Sequence, residues 1–174
     1  MASESANATT EMEDHVNREI DMLLYFLRHG EADWPDWKKP DDERPLTKSG
    51  KKEMREVGKL LKRIKAKPSL ILTSPLPRAA QTAEIAAEHL KTKCRQEKLL
   101  APGFGKRELE SLFERYSNED LMLVGHEPDF SGVIAAVTGA SAKLSKAGVA
   151  LVEVDLHCGE GRLLWLFPPK LAKK

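Results

Sequence analysis

The sequence predicts an α/β fold, a three-layer sandwich in which helices flank a mainly parallel central sheet. Three short apolar runs, Met22–Leu27, Leu70–Leu72 and Leu121–Val124, alternate with stretches of helical character. Parallel strands need a crossover long enough to hold a helix, so this alternation is their signature. Two more strand-like runs, Val149–Val154 and Leu163–Phe167, follow near the C-terminus and are joined by the turn residues HCGEGR.

Each element has a local reason. Residues 1–21 are small, polar and acidic and are expected to form a disordered tail, with a helical turn near Met12–Ile20. Residues 22–174 are expected to form one domain, without internal repeat or linker. After the first strand comes a loop, DWPDWKKPDDERP. Thr47 can then cap a helix whose apolar residues Met54, Val57, Leu60, Leu61 and Ile64 recur at helical spacing. Pro68 closes that segment and the second strand follows. Ser74 followed by Pro75 reads as a helix start, with proline at the first helical position. The alanine-rich helix LPRAAQTAEIAAEHL should pack closely. A weak strand near Cys94–Glu97, the loop LAPGFG and a helix KRELESLFERY lead to the third strand, and Phe130–Val137 reads as a further helix.

The composition narrows the function. The chain has 174 residues, 41% hydrophobic and 32% charged, with 28 Lys+Arg against 27 Asp+Glu. That balance gives no case for nucleic acid or an anionic membrane as partner. Cys94 and Cys158 form neither a metal-ligand spacing nor a disulfide framework. The N-terminus lacks the apolar core of a signal peptide and no apolar stretch is long enough to span a bilayer, so a cytoplasmic protein is expected. The oligomeric state leaves no mark in the sequence.

In an open α/β sheet, ligands bind outside the carboxyl ends of the strands. The first strand ends in Arg28-His29, the second in Thr73-Ser74 with Arg78 one turn on, and the third in Gly125-His126. If the three run parallel, two arginines and two histidines converge at one edge of the sheet. Gly30 and Gly125 would let the backbone approach a ligand, and the helices after Ser74 and Pro128 would offer free N–H groups there. Such a pocket suits a dianionic tetrahedral group, because guanidinium forks match phosphate oxygens. No metal-ligand cluster accompanies it, and no cofactor is implied. Histidine is the one strong nucleophile available near neutral pH, and the neighbouring cations favour its neutral form.

The motifs FLRHGEA, ERPLTKSG, TSPLPRAAQT and LVGHEPDF stand in the order and at roughly the spacing of the histidine phosphatase superfamily. From about Leu23 to Leu171 the chain resembles the short SixA-type phosphohistidine phosphatases, including its ending, SKAGVALVEVD and LLWLFPPKL. The resemblance implies a phosphoglycerate mutase-like fold and a metal-independent phosphatase. His29 would be the nucleophile that is transiently phosphorylated. Arg28 and Arg78 would hold the phosphoryl oxygens, and His126 would donate a further hydrogen bond. The substrate would be a phosphohistidine-containing protein, for example a phosphotransfer protein. The alternatives are a phosphomonoesterase for small phosphorylated molecules and a phosphate- or phosphoprotein-binding module without turnover.

Other residues carry competing readings. Ser74 is expected to cap a helix and border the phosphate. Arg44 and Thr47 belong to loop anchoring and capping rather than chemistry. Trp34 and Trp37 could meet a partner protein, although packing against the domain is the simpler expectation. His15, His89 and His157 match nothing and read as surface residues. Many superfamily members carry a proton-donating glutamate in an L-x-E context, whereas the matching stretch here reads Leu100-Ala101-Pro102-Gly103. Glu31 could serve as an acid at the rim or merely offset the arginines, and Glu108 could substitute for the missing donor. The same region is too short for a large cap, so an open site is expected.

Overall fold

The computed structural model describes residues 21–117 and 119–173, so the expectations for the N-terminal tail and His15 lie outside the described residues. A six-stranded sheet is built from β1 (Asp21–Arg28), β2 (Leu70–Thr73), β3 (Cys94–Gln96), β4 (Leu121–Gly125), β5 (Val149–Asp155) and β6 (Gly161–Phe167) in the order β3-β2-β4-β1-β5-β6. The first four strands are parallel to one another; β5 is antiparallel to both β1 and β6. The mainly parallel sheet and its layered setting are those read from the sequence.

Strand alternation decides which helix covers which face. Leu24 and Phe26 of β1, Leu72 of β2 and Leu121 and Leu123 of β4 face one core with Leu109 and Leu112 of α3 (Lys106–Tyr116) and Phe130, Val133 and Ile134 of α4 (Asp129–Thr138). Tyr25, Leu27, Ile71, Met122 and Val124 face the other core. There they meet α1 (Lys48–Arg63) and α2 (Pro77–Leu90). Because both faces are covered, β2 and β4 are buried along their whole length and read as unbroken apolar runs.

The helix starts are specified in different ways. Thr47 caps α1 by accepting from the amide of Gly50 at 2.9 Å, as its position suggests. Met54, Val57 and Leu61 line the buried face of α1, but Ile64 is the residue after its last turn and is 44% exposed. The second helix starts later than expected: Leu76 precedes it and Pro77, not Pro75, takes its first position. His89 is half-buried rather than a surface residue, since it packs on Gly58 of α1, where a Cβ would come within 2.7 Å of its ring.

The sheet register sets the site. Arg28 lies opposite Gly125, and Thr73 opposite Val124, so the chain leaves β1, β4 and β2 at one level on three adjacent strands. The connections at this edge are the loop between β1 and α1, the turn before α2, the turn before α4 and the loop that precedes β5. Among the described residues no separate cap covers them.

Glycine replacements test this packing. A Cβ at Gly50 would fall 2.2 Å from the Glu31 carbonyl oxygen, whereas one at Gly132 in α4 would meet nothing within 4 Å. Gly50→Ala should therefore lower stability by roughly 1–3 kcal/mol despite the better helix propensity of alanine. Gly132→Ala should raise it by about 0.5–1 kcal/mol. Chemical denaturation of the two variants checks both signs.

Candidate active site

Backbone and side chains both fix Arg28 and His29 at the end of β1. The Arg28 amide donates to the Gly148 carbonyl, the His29 amide to the Gly125 carbonyl, and the His29 carbonyl accepts from Ala147. The next amide, that of Gly30, donates to Thr82 Oγ1 at 3.0 Å, and that hydroxyl donates in turn to the Arg78 carbonyl at 2.7 Å. The first turn of α2 is thereby tied to the RHG segment, and Arg78 with it.

The ring of His29 has a defined tautomer. Its Nδ1 lies 2.8 Å from the Gly30 carbonyl oxygen. A carbonyl can only accept, so Nδ1 carries the proton and Nε2 keeps its lone pair. Burial is the main force that holds the imidazole neutral, with pKa lowered to about 4. The positive fields of His126, Arg78 and Arg28 act in the same direction, against the hydrogen bond to Gly30. His29 is buried, with 9% of its surface exposed.

His126 stands beside it, with ring centroids 5.3 Å apart. Its Nε2 is 2.8 Å from Ser74 Oγ, and Ser74 Oγ also accepts from the Leu76 amide at 3.3 Å. Ser74 Oγ and His126 Nε2 thus share one hydrogen bond; when the hydroxyl gives its proton to Nε2, the proton of a neutral His126 sits on Nδ1. Nδ1 is buried and has no hydrogen-bond partner among the described residues. Burial is again the largest reason that His126 has a pKa lowered to about 4, followed by the charge of Arg78; Asp129 opposes the shift. Ser74 thus sits behind His126 and is not the residue that begins α2.

Each arginine is pinned at its far end. Arg28 Nη1 donates to the Leu144 carbonyl at 2.9 Å. Arg78 is held by Asp41, through Nη1 to the carbonyl at 2.8 Å and Nη2 to Oδ2 at 3.2 Å. The Nε groups of both are buried and without partner, as is that of Arg44, whose Nη2 lies 2.6 Å from Asp41 Oδ1. Arg28 and Arg78, whose charges act on His29, thus keep Nε donors that no group among the described residues takes, and His126 keeps an unpartnered Nδ1. Unmatched buried donors are rare, and an anion with several acceptor oxygens is the kind of ligand that satisfies them.

The remaining expectations divide. Glu108 accepts from the Gly105 amide at 2.9 Å and so serves as the cap of its own helix. The backbone carbonyl of Glu31 accepts from the Thr47 amide, which fastens the start of α1 beside the site. Packing gives Gly30 and Gly125 a reason of their own: a Cβ would sit 3.1 Å from Met54 Cγ at the first and 2.7 Å from the Phe130 ring at the second. The indole N–H of Trp34 donates to the Pro45 carbonyl and that of Trp37 to the Pro40 carbonyl. Both tryptophans thus shape their own loop, and Trp34 is exposed rather than packed on the domain. Asp41, Asp129, Thr82 and Leu144 escaped the sequence reading. Thr82 lies within the TSPLPRAAQT motif and Asp129 three residues after His126, so both had a positional signal. Asp41 and Leu144 had none.

Known proteins share this arrangement of elements. Residues 24–108 match the family model of the histidine phosphatase superfamily (branch 1). An uncharacterized protein of the cyanobacterium Picosynechococcus is 37% identical over 151 residues, covering 82% of this chain and 88% of its own length. The protein histidine phosphatase SixA, solved with tungstate, superposes with a TM-score of 0.78 at 25% identity, over 87% of this chain and all of that one. A putative phosphohistidine phosphatase SixA of Agrobacterium tumefaciens has the same fold, with a TM-score of 0.73 at 22% identity over 85% of this chain and 98% of its own. The matched segment runs from the strand that carries His29 to the cap of α3, and on these likenesses the chain belongs to the histidine phosphatase superfamily.

Proposed function

We propose that this member of a phosphatase superfamily dephosphorylates phosphohistidine on a protein, through a phosphorylated His29. The observation that carries the proposal is the set of buried nitrogens without partners among the described residues, Arg28 Nε, Arg78 Nε and His126 Nδ1, on the three residues whose charges act on a histidine with Nε2 free of its proton. The Nε2 lone pair attacks phosphorus, the bond from phosphorus to the substrate imidazole breaks, and that imidazole leaves as the neutral ring with a proton taken from solvent. Water then attacks phosphorus in the phosphorylated His29, the bond from phosphorus to Nε2 breaks, the proton of the water returns to solvent, and inorganic phosphate leaves. Arg28, Arg78 and His126 bind the equatorial oxygens, where donors gain most as charge develops in the transition state. The likeness to SixA with tungstate supports the same reading, since tungstate is a tetrahedral oxyanion. Two free cysteines, Cys94 and Cys158, accord with a reducing, cytoplasmic setting.

Substrate choice follows from the carboxylates. Glu108 is engaged as a helix cap, and Asp129 is engaged by the Gly103 amide at 2.7 Å. An alkyl phosphate needs a proton delivered to its leaving oxygen, a service worth roughly 10²–10⁴-fold from a positioned acid. A phosphohistidine has a weaker P–N bond and a leaving group that protonates readily. The expected order of kcat/KM is phosphohistidine protein, then aryl phosphate, then alkyl phosphate. Equal efficiency on the alkyl ester would contradict the proposal, and Glu31 and Asp129 would then be the first carboxylates to replace.

The pH dependence has a defined sign. His29 attacks only when neutral, and its pKa is lowered to about 4. With an aryl phosphate, and after the ionisation of the substrate is factored out, kcat/KM should hold from pH 7 down to about 5. It should then fall about tenfold per pH unit below about 4, as the imidazolium forms. A break near 6.5, the ordinary value for histidine, would mean that the nucleophile is a solvated group elsewhere.

A further inference from the structure

We infer that Asp41, an exposed carboxylate on the loop between β1 and α1, is a positioning residue for Arg78 and so for oxyanion binding. The inference rests on the phosphatase reading of the site and extends it to a residue that never touches the phosphoryl group. Asp41 opens a 3-10 turn, Asp41–Glu43, and its side chain is 67% exposed. The guanidinium that it holds is 8% exposed. A single residue grips that group twice, by its backbone oxygen on Nη1 and by Oδ2 on Nη2.

The geometry separates two edges of the guanidinium. Arginine carries five N–H donors in a rigid plane, and the Nη pair forms its end. Asp41 takes that end. The side edge, made of Nε–H and the Nη–H next to it, is the alternative bidentate face for an oxyanion. Arg78 Nε is buried and has no partner among the described residues. With the end edge fixed, the side edge cannot swing, so Asp41 orients the donors that remain. The same carboxylate reaches Arg44 through Oδ1, which keeps two like charges from repelling Arg78 out of place.

The loop itself is held for this task. The Glu43 amide donates to the Pro40 carbonyl, the Arg44 amide to the Asp41 carbonyl, and the Leu46 amide to Gln81 Oε1 of α2 at 2.9 Å. The Trp37 indole donates to the Pro40 carbonyl at 3.0 Å. Asp41 is thus anchored from both sides of its turn, and through Gln81 to the helix that bears Arg78.

An opposite role is chemically conceivable: the carboxylate could imitate the phosphoryl group and compete for Arg78. The two roles differ in sign. Positioning requires that Asp41→Ala weaken binding of orthovanadate, measured by calorimetry on the full chain, by roughly three- to tenfold. Asp41→Asn should lose less, because its amide oxygen can still accept from Nη2. The loss must also pass through Arg78, so Asp41→Ala added to Arg78→Ala should change vanadate affinity and kcat/KM no further. Unchanged or tighter vanadate binding in Asp41→Ala, or full additivity in the double variant, would overturn the inference. Thermal unfolding of the same variants distinguishes a misfolded loop, for which Asp41→Asn and Asp41→Ala would lose stability and affinity together. Vanadate binding does not depend on which phosphate ester is the substrate. Failure of the substrate proposal would leave this result standing, and the reverse also holds.

Discussion

Two guanidinium groups and two imidazoles crowd one end of the sheet, and the accommodation of that positive charge governs everything around it. Unpaired buried charge is expensive, while removal of one partner from a buried pair costs about 3–5 kcal/mol. The fold meets the problem in three ways. Both histidines are held neutral, with pKa values lowered to about 4, mainly by burial. Arg28 is met by a backbone carbonyl from the loop before β5, and Arg78 by a carboxylate and a carbonyl from the loop after β1. What remains is an excess of donors without an acceptor among the described residues, and a tetrahedral dianion supplies acceptors and negative charge together.

The same arrangement suits the nucleophile we propose. A histidine in water is half protonated near pH 6.5, and a cation cannot attack phosphorus. Here the Gly30 carbonyl holds the one proton of His29 on Nδ1 and leaves Nε2 as the base. Ser74 Oγ engages Nε2 of the neighbouring ring, and the other nitrogen of His126 has no partner among the described residues. Two identical side chains 5.3 Å apart are thereby held differently by the atoms behind them. The parallel register of β1, β2 and β4 brings these atoms together, since Arg28, Thr73 and Gly125 end their strands at one level.

Much of this was legible in the sequence, for a physical reason. Fully buried parallel strands are apolar along their whole length, so Leu70–Leu72 and Leu121–Val124 stood out, and the polar residues that follow them stood out in turn. Thr47 and the Met54–Val57–Leu61 stripe were legible because capping and helical period are local properties. Ile64 shared that period, yet the helix ended before it could be buried. At the glycines a packing reason was hidden: Gly30 and Gly125 lie against Met54 and Phe130, contacts made by residues distant in sequence or across a turn. Asp41 was hidden for the opposite reason. Within KKPDDERPLTKSGKK it reads as one solvated charge among many, and only the folded loop brings it 37 residues along the chain to Arg78.

The central claim is covalent, that a phosphoryl group passes through Nε2 of His29. The most direct measurement mixes the enzyme briefly with phosphorylated substrate, quenches it in alkali and locates the phosphate by mass spectrometry of the peptides. The account predicts phosphate on the peptide that holds His29, stable in alkali and lost in acid as a phosphoramidate is, and absent from His29→Ala. Phosphate on another residue, or full turnover by His29→Ala, would contradict it.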